Sequence, residues 1–315
     1  MTSAEIRPLR DDEVATYVEL RNAIDPRTAT MAGWVEQHRR SETTVRIVLA
    51  HEGDDVVGVG SAQEEADRRG LDVGWLSLGV VPQHRRKGVG GALYHELSRH
   101  LRTLGKAVCD TSAWTDDETT LAFLQNRGFA EIDRFEFVRL DLDACEPPEA
   151  EPPPGVTIVP LADRPGSELE LFEVHREAIA DLPSTDDLTP DYDSFYGWEL
   201  AHPSRRFDLS FVALHDNEVI GYAMLGAVPA SDDAENVMTA VKRNWRRRGV
   251  ASALKAAQLA AAKSAGFRGI VTLNESRNEP MRRLNERLGY TAQPAQLRMR
   301  GPLAAAAGLG RPPTR

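Results

Sequence analysis

The chain has 315 residues, with 38 Lys and Arg against 48 Asp and Glu, and the net charge of −10 leaves no broad basic surface for nucleic acid or acidic membrane. Two cysteines, Cys109 and Cys145, are too few for a disulfide framework, and neither they nor the eight histidines show metal-ligand spacing. No apolar run approaches a membrane span, and residues 1–25 lack the apolar centre of a signal peptide, so a reducing cytoplasm is the expected compartment.

Glu5 to Leu9 reads as a first strand, and Asp11 or Asp12 then caps a helix with Val14, Tyr17, Val18 and Leu20 mostly on one face. Met31 to Arg40 forms a second helix. Thr44 to His51 and Val56 to Gln63 are joined by Glu52-Gly53-Asp54-Asp55, a tight reversal that makes them a hairpin. Leu71 to Val81 is the next strand and runs into Arg85-Arg86-Lys87-Gly88-Val89-Gly90. The helix behind it, Ala92 to Leu104, carries Leu93, Leu97, Leu101 and Leu104 as a core-facing stripe. Lys106 to Ala113 is a strand, Glu118 to Arg127 a helix stopped by Gly128, and Phe129 to Leu142 a closing strand.

Residues 144–155 shift to proline and glutamate, which keep a segment extended, so they form a linker. The same order of elements then recurs: strand Val156 to Pro160, helices Glu168 to Ala180 and Tyr192 to Leu200, and hairpin Phe211 to Leu214 with Val219 to Leu225. Strand Asn236 to Val241, helix Val250 to Ala265, strand Gly269 to Leu273, helix Glu279 to Leu288 and strand Thr291 to Arg300 complete it. Arg246-Arg247-Arg248-Gly249-Val250-Ala251 lies 161 positions beyond the first such stretch (85 to 246), and Gly289-Tyr290 keeps the same offset from Gly128-Phe129. The chain therefore holds two copies of one domain, 1–143 and 156–303, followed by a flexible tail at 304–315. The fold class is α+β: two tandem domains, each a mostly antiparallel mixed sheet flanked by helices.

In each copy a glycine-bearing basic turn joins a strand to a helix start, where free backbone amides and the helix dipole make a phosphate cradle. Neither the phosphate-loop motif nor the three-glycine dinucleotide fingerprint is present. The stretch resembles the Arg/Gln-x-x-Gly-x-Gly/Ala signature of the GCN5-related N-acetyltransferases (GNAT), and the duplicated motifs in register resemble the two-domain, mycothiol-synthase-like branch. That resemblance implies the GNAT fold for both copies and acetyl-CoA as cofactor. Its pyrophosphate would be held by Arg85, Arg86, Lys87, Gly88, Val89 and Gly90, and by Arg246, Arg247, Arg248, Gly249, Val250 and Ala251. It also implies that backbone amides near Val80 and Val241 take the pantetheine arm and the thioester oxygen. Asn274 and Asn278 would lie near the pantetheine or phosphates, although capping of the helix at Glu279 explains Asn278 by itself.

Glu235 stands six residues before Val241, the same side of an extended strand, and the resemblance makes it the general base; a solvated acid in Asp232-Asp233-Ala234-Glu235 is the plain alternative. The corresponding first-copy position is Gly74, leaving only Asp72 as a carboxylate of the same parity. Relatives place a tyrosine acid where this chain has Leu124 and Asn285, so Asn285 takes that place without being able to release a proton. Asp181, Asp186, Asp187, Asp191 and Asp193, interleaved with aromatics, suit a cationic amine or form a solvated face. The reading is an acetyl-CoA-dependent N-acetyltransferase acting on a small-molecule amine in a ternary complex. Chemistry is expected in the second copy, and the chain is expected to be a monomer whose copies pair as a pseudo-dimer. The alternative is a non-catalytic acetyl-CoA-binding or sensing protein; nucleic acid, membrane and metal are not expected.

Overall fold

The computed structural model describes residues 4–41, 44–65, 68 and 70–305, so the expected tail beyond 305 lies outside the described residues. The chain divides into two compact units: residues 1–113, 117–132 and 298–315, and residues 114–116 and 133–297. These units do not follow the linear halves. The first takes most of the chain's last strand, and the second takes most of the strand that closes the first half.

In the first unit the sheet order is β1 (Glu5–Pro8), β2 (Arg46–Glu52), β3 (Asp55–Gln63), β4 (Val73–Val80), β5 (Val108–Trp114) and β13 (Gln296–Pro302). Strands β1 to β4 pair antiparallel, while β4 and β5 run parallel. Helix α1 (Val14–Ile24) and α2 (Ala32–Ser41) bury Val14, Tyr17 and Val35 against Ile47, Leu49 and Val59. Helix α3 (Val89–Thr103) covers β3 and β4 with Leu93, Leu97 and Leu101, all fully buried as the stripe predicts. It lies close because the sheet has glycine beneath it: a Cβ on Gly74 would fall 2.5 Å from Leu101. Helix α4 (Glu118–Gln125) begins at Asp117, which accepts from the N–H of Thr120 at 3.0 Å.

β13 is tied into this unit by charge. Asp110 on β5 is fully buried, and Arg298 and Arg300 each bond to it at 2.7 Å, with Arg298 also paired to Glu65. A buried carboxylate requires such partners, so the two arginines specify which strand docks there.

The second unit has the order β7 (Val156–Pro160), β8 (Phe211–His215), β9 (Glu218–Ala227), β10 (Asp233–Val241), β11 (Gly269–Glu275) and β6 (Ala130–Asp141), with β12 (Thr291–Ala292) also on β6. Only β10 and β11 among these are parallel. Helix α5 (Glu168–Ala180) and the short α6 (Tyr192–Phe195) bury Leu171, Val174 and Phe195 on one face, against Tyr222, Met224 and Ala240. Helix α7 (Val250–Ser264) buries Val250, Leu254, Leu259 and Ala262 on the other. Helix α8 (Glu279–Arg287) closes the set. The helix expected over Tyr192 to Leu200 is tighter at its start and wider at its end, because Tyr196–Leu200 forms a π-helical turn.

Candidate functional site

Each copy contains the same strand, turn and helix device. After β4 and after β10 come a short 3₁₀ turn, then an extended arginine, Arg85 or Arg246. The backbone then alternates into the left-handed region at Arg86 (φ 64°) and Gly88 (φ 96°), and identically at Arg247 (φ 59°) and Gly249 (φ 91°). Nothing lies within 4 Å of where a Cβ would stand on either glycine, so these residues serve backbone conformation and not a close contact. Neither α3 nor α7 has a side-chain cap, whereas α4 and α8 are capped by Asp117 and Asn278. Among the described residues, no protein acceptor takes the main-chain N–H groups of 86–91 or 247–252. Two concave sets of free amides at two helix starts result, rimmed by exposed Arg86, Lys87, Arg247 and Arg248.

The conserved geometry of the arginine that opens each turn is an addition to the sequence reading. Arg85 Nε donates to the Val80 carbonyl at 3.0 Å, and Arg246 Nε to the Val241 carbonyl at 2.9 Å, clamping the turn to the end of its strand. Arg246 also pairs with Asp181 at 2.7 Å, as does Arg243 at 2.6 Å, and these arginines hold the Asp181 carboxyl down at about 2. Asp181 is thus committed to the turn, and Asp191 accepts from Ser194 as the cap of α6, so two of the five clustered aspartates have structural duties. The Val80 and Val241 side chains are buried, and their carbonyls are the ones that Arg85 and Arg246 hold.

The strand before each turn parts from its parallel neighbour. The β4/β5 ladder ends at Trp75 and Asp110, and the β10/β11 ladder at Glu235 and Val271, although β4 continues to Val80 and β10 to Val241. Here the structure corrects the sequence reading. A bulge between Asn236 and Met238 adds one residue to β10, and β4 has no counterpart. The extra residue reverses the side-chain alternation, so Glu235 shares a face with Met238 and Ala240, not with Val241. It also shifts the match between copies: the place of Glu235 is held in the first copy by Trp75, not by Gly74, which lies under Leu101. Asp72 is exposed ahead of β4.

Glu235 is partly buried, and burial raises its carboxyl pKa while the charge of Arg205 pulls it back down. Arg205 escaped the sequence reading; it sits in a loop, with no periodic signal to single it out. On the α7 face a second polar group was missed. Lys255 Nζ donates to Asn236 Oδ1 at 3.2 Å and lies 5.3 Å from the centre of the Tyr290 ring. Asn236 in turn donates to Gln258 at 2.7 Å, and its carbonyl accepts from Thr272 at 2.8 Å. Lys255 and Gln258 are 1% exposed, and burial pushes the Lys255 amine down to about 7. Their signal was present in the sequence: the 161-residue offset sets them against Tyr94 and Leu97, polar against the core stripe of the first copy.

Asn285 is 2% exposed, and neither its Oδ1 nor its Nδ2 has a partner; Asn274 Nδ2, also buried, has none. Buried amides without partners are costly, and they suit a polar ligand group. In the first copy the place of Asn285 is Leu124, buried and apolar. Asn278 spends its side-chain oxygen on the N–H of Met281 at 3.4 Å as the cap of α8. Among the described residues, no cluster of three His, Cys, Asp or Glu is placed to hold a metal, and no helix is long and apolar enough to cross a membrane.

Two separate stretches, residues 6–129 and 171–290, match the family model described as "Acetyltransferase (GNAT) family". The chain belongs to the GNAT acetyltransferase family. This GNAT chain is 29% identical over 237 residues to a mycothiol acetyltransferase of Brachybacterium faecium, an alignment covering 70% of the chain and 66% of that relative's length. Among solved structures, a tandem GNAT protein from the clavulanic acid biosynthesis pathway superposes with a TM-score of 0.78 at 20% identity, covering 96% of this chain and 99% of that one. A GCN5-related N-acetyltransferase from Sphaerobacter thermophilus gives 0.68 at 19%, with 97% and 98% covered. At these identities the structural likeness establishes the fold, two tandem GNAT domains, and nothing finer.

Proposed function

We propose that this chain is an acetyl-CoA-dependent N-acetyltransferase that acetylates the primary amine of a small molecule, with its chemistry in the second copy. One observation carries the reading: in that copy the free-amide turn stands at one end of β10, and Glu235 stands at the point where β10 leaves β11. The first copy has the turn and the parting strands, but Trp75 in place of the carboxylate.

The residues fit the cofactor. The amides of 247–251 and the Arg247 and Arg248 side chains would hold the pyrophosphate, and the unpartnered amides of Asn274 and Asn285 suit the amide-bearing pantetheine arm. Bound there, acetyl-CoA supplies an acetyl group activated as a thioester. Glu235, raised by burial, can accept a proton from the acceptor ammonium, directly or through water. Past Glu235, where β10 is no longer paired to β11, N–H groups near Val241 would serve a developing oxyanion. Asn285 can orient the thiol by a hydrogen bond, and a thiolate is stable enough to leave without an acid. The cytoplasm and a monomeric state are part of the same proposal.

The test is release of free thiol from acetyl-CoA with a panel of amino sugars, aminoglycosides, polyamines and peptides. Turnover with at least one amine, lost in Glu235→Gln, supports the reading. A second reading, acetyl-CoA binding without transfer, is favoured by one observation: neither Leu124 nor Asn285 can release a proton. It prevails if acetyl-CoA raises the melting temperature while no amine in the panel releases thiol.

A further inference from the structure

We infer that Arg205 is a positioning residue for this reaction, fastening the π-helical turn Tyr196–Leu200 to the sheet and holding Glu235 as a carboxylate ready to take a proton. The inference rests on the transferase reading above. Its geometry centres on Gly226. On one side the backbone of Gly226 pairs with Arg205 through an isolated antiparallel bridge, and on the other it pairs with Glu235 in the β9/β10 ladder. Directly paired residues present their side chains on one face. A Cβ on Gly226 would stand 3.1 Å from Arg205 Nη1 and 3.1 Å from Ser204 Oγ, so the guanidinium occupies the space a side chain would fill, on the face from which Glu235 projects.

From that position the guanidinium donates to three groups. Nε bonds the Glu199 carbonyl at 2.9 Å, Nη2 the Trp198 carbonyl at 2.6 Å, and Nη1 Ser204 Oγ at 3.3 Å. The two carbonyls belong to the π-helical turn, where the wider winding leaves backbone acceptors to be satisfied from outside. The same turn carries Tyr196 and Trp198, large apolar side chains 47% and 41% exposed. One side chain therefore joins the turn to Glu235.

Three titratable groups around this cluster carry no charge near pH 7. His175 on α5, bonded to Tyr222 at 2.9 Å, and His202 in the loop before Arg205 are each held at about 4 by burial and stay neutral near pH 7. Tyr222 on β9 is raised well above its ordinary value by burial, and is neutral too. Glu199 lies on the turn and acts on Arg205, whose charge in turn draws Glu235 down. Replacing Arg205 by a neutral residue removes what opposes the burial of Glu235. Its pKa then rises, and the acid limb of the pH–rate profile moves to higher pH.

The decisive measurement needs no acceptor. The protonated-carboxyl band of Glu235 is isolated by difference infrared spectroscopy, native minus Glu235→Gln, and followed with pH in the full-length chain. Arg205→Met should raise the midpoint by at least ~1 pH unit, a ~10-fold loss of the basic form below it, while Arg205→Lys should move it by less than ~0.5. Gly226→Ala, whose methyl displaces the guanidinium, should shift it in the same direction as Arg205→Met and serves if that variant does not fold. An unmoved midpoint in Arg205→Met and Gly226→Ala, both natively folded by circular dichroism, overturns the inference. With a turned-over amine, Arg205→Lys should raise the acceptor KM with little change in the acid limb, since it keeps the charge and loses the fork; an unchanged KM overturns the fastening role. Failure of the transferase reading is separately visible, as absence of thiol release by the native protein with the midpoint shift intact.

Discussion

The two copies share a scaffold and differ in what lines it. Both have the parting parallel strands, the arginine clamp on the strand-end carbonyl and the uncapped helix behind a left-handed glycine. Where the first copy has Trp75, Tyr94, Leu97 and Leu124, however, the second has Glu235, Lys255, Gln258 and Asn285. The first interior packs: Tyr94 lies 6.0 Å from Phe129, and Phe123 closes on Gly90. The second keeps buried amides without partners, which cost stability unless a ligand meets them. The backbone of the device is thus separable from the side chains placed in it: a duplicated scaffold packs apolar groups in one copy and keeps unpaired polar groups in the other.

The comparison breaks first at the carboxylate. Glu235→Gln should lower turnover ~10²–10⁴-fold with acetyl-CoA affinity kept, while Trp75→Phe should leave turnover within ~2-fold. Comparable losses from both would place chemistry in both copies. The turns come next. Gly249→Val forces a β-branched residue to φ 91° and should weaken coenzyme A binding by ~10-fold or more by calorimetry. Gly88→Val, at φ 96°, should leave turnover nearly unchanged, and equal effects would assign the reaction to both halves.

Lys255→Met should raise stability by ~1–3 kcal/mol in denaturant titrations at pH 7, since the fully buried amine is held to about 7 against an ordinary 10.5. Between those values the unfolded chain holds a proton the folded chain lacks, so the native protein gains stability as pH rises through that window. The substitution should flatten that rise, its advantage greatest at pH 7 and below and fading toward pH 10.5. Tyr94→Phe in the first copy should show no such pH dependence. The smallest effect is expected of Asn285→Leu, the residue that the first copy carries: coenzyme A affinity down ~3–10-fold and stability equal to native or up to ~1 kcal/mol higher. A drop in stability instead would mean that Asn285 is satisfied by the protein itself.

Much of this was legible because local rules act locally. The turn motif demands its backbone whatever surrounds it, since a glycine at a strand-to-helix junction frees the amides and a helix start leaves them without acceptors. Periodicity likewise identified α3 and its leucine stripe, and the repeat in register revealed two domains of one fold. The copies' offsets, 163 between Val57 and Ile220 but 161 at the turns, show that the copies differ in length between hairpin and turn, without saying where.

What only tertiary structure decided depends on partners distant in the chain. A single extra residue at the β10 bulge turned Glu235 to the opposite face and matched it to Trp75, because strand alternation has a period of two and a one-residue insertion inverts it. The final strand went to the first unit because buried Asp110 needs the guanidinium groups of Arg298 and Arg300, a pairing across 188 and 190 positions. The charge of Lys255 and the reach of Arg205 across Gly226 likewise follow from burial and contact. Sequence order determined which local devices this protein possesses; desolvation and strand register, which exist only once the chain has folded, decided which of their side chains meet.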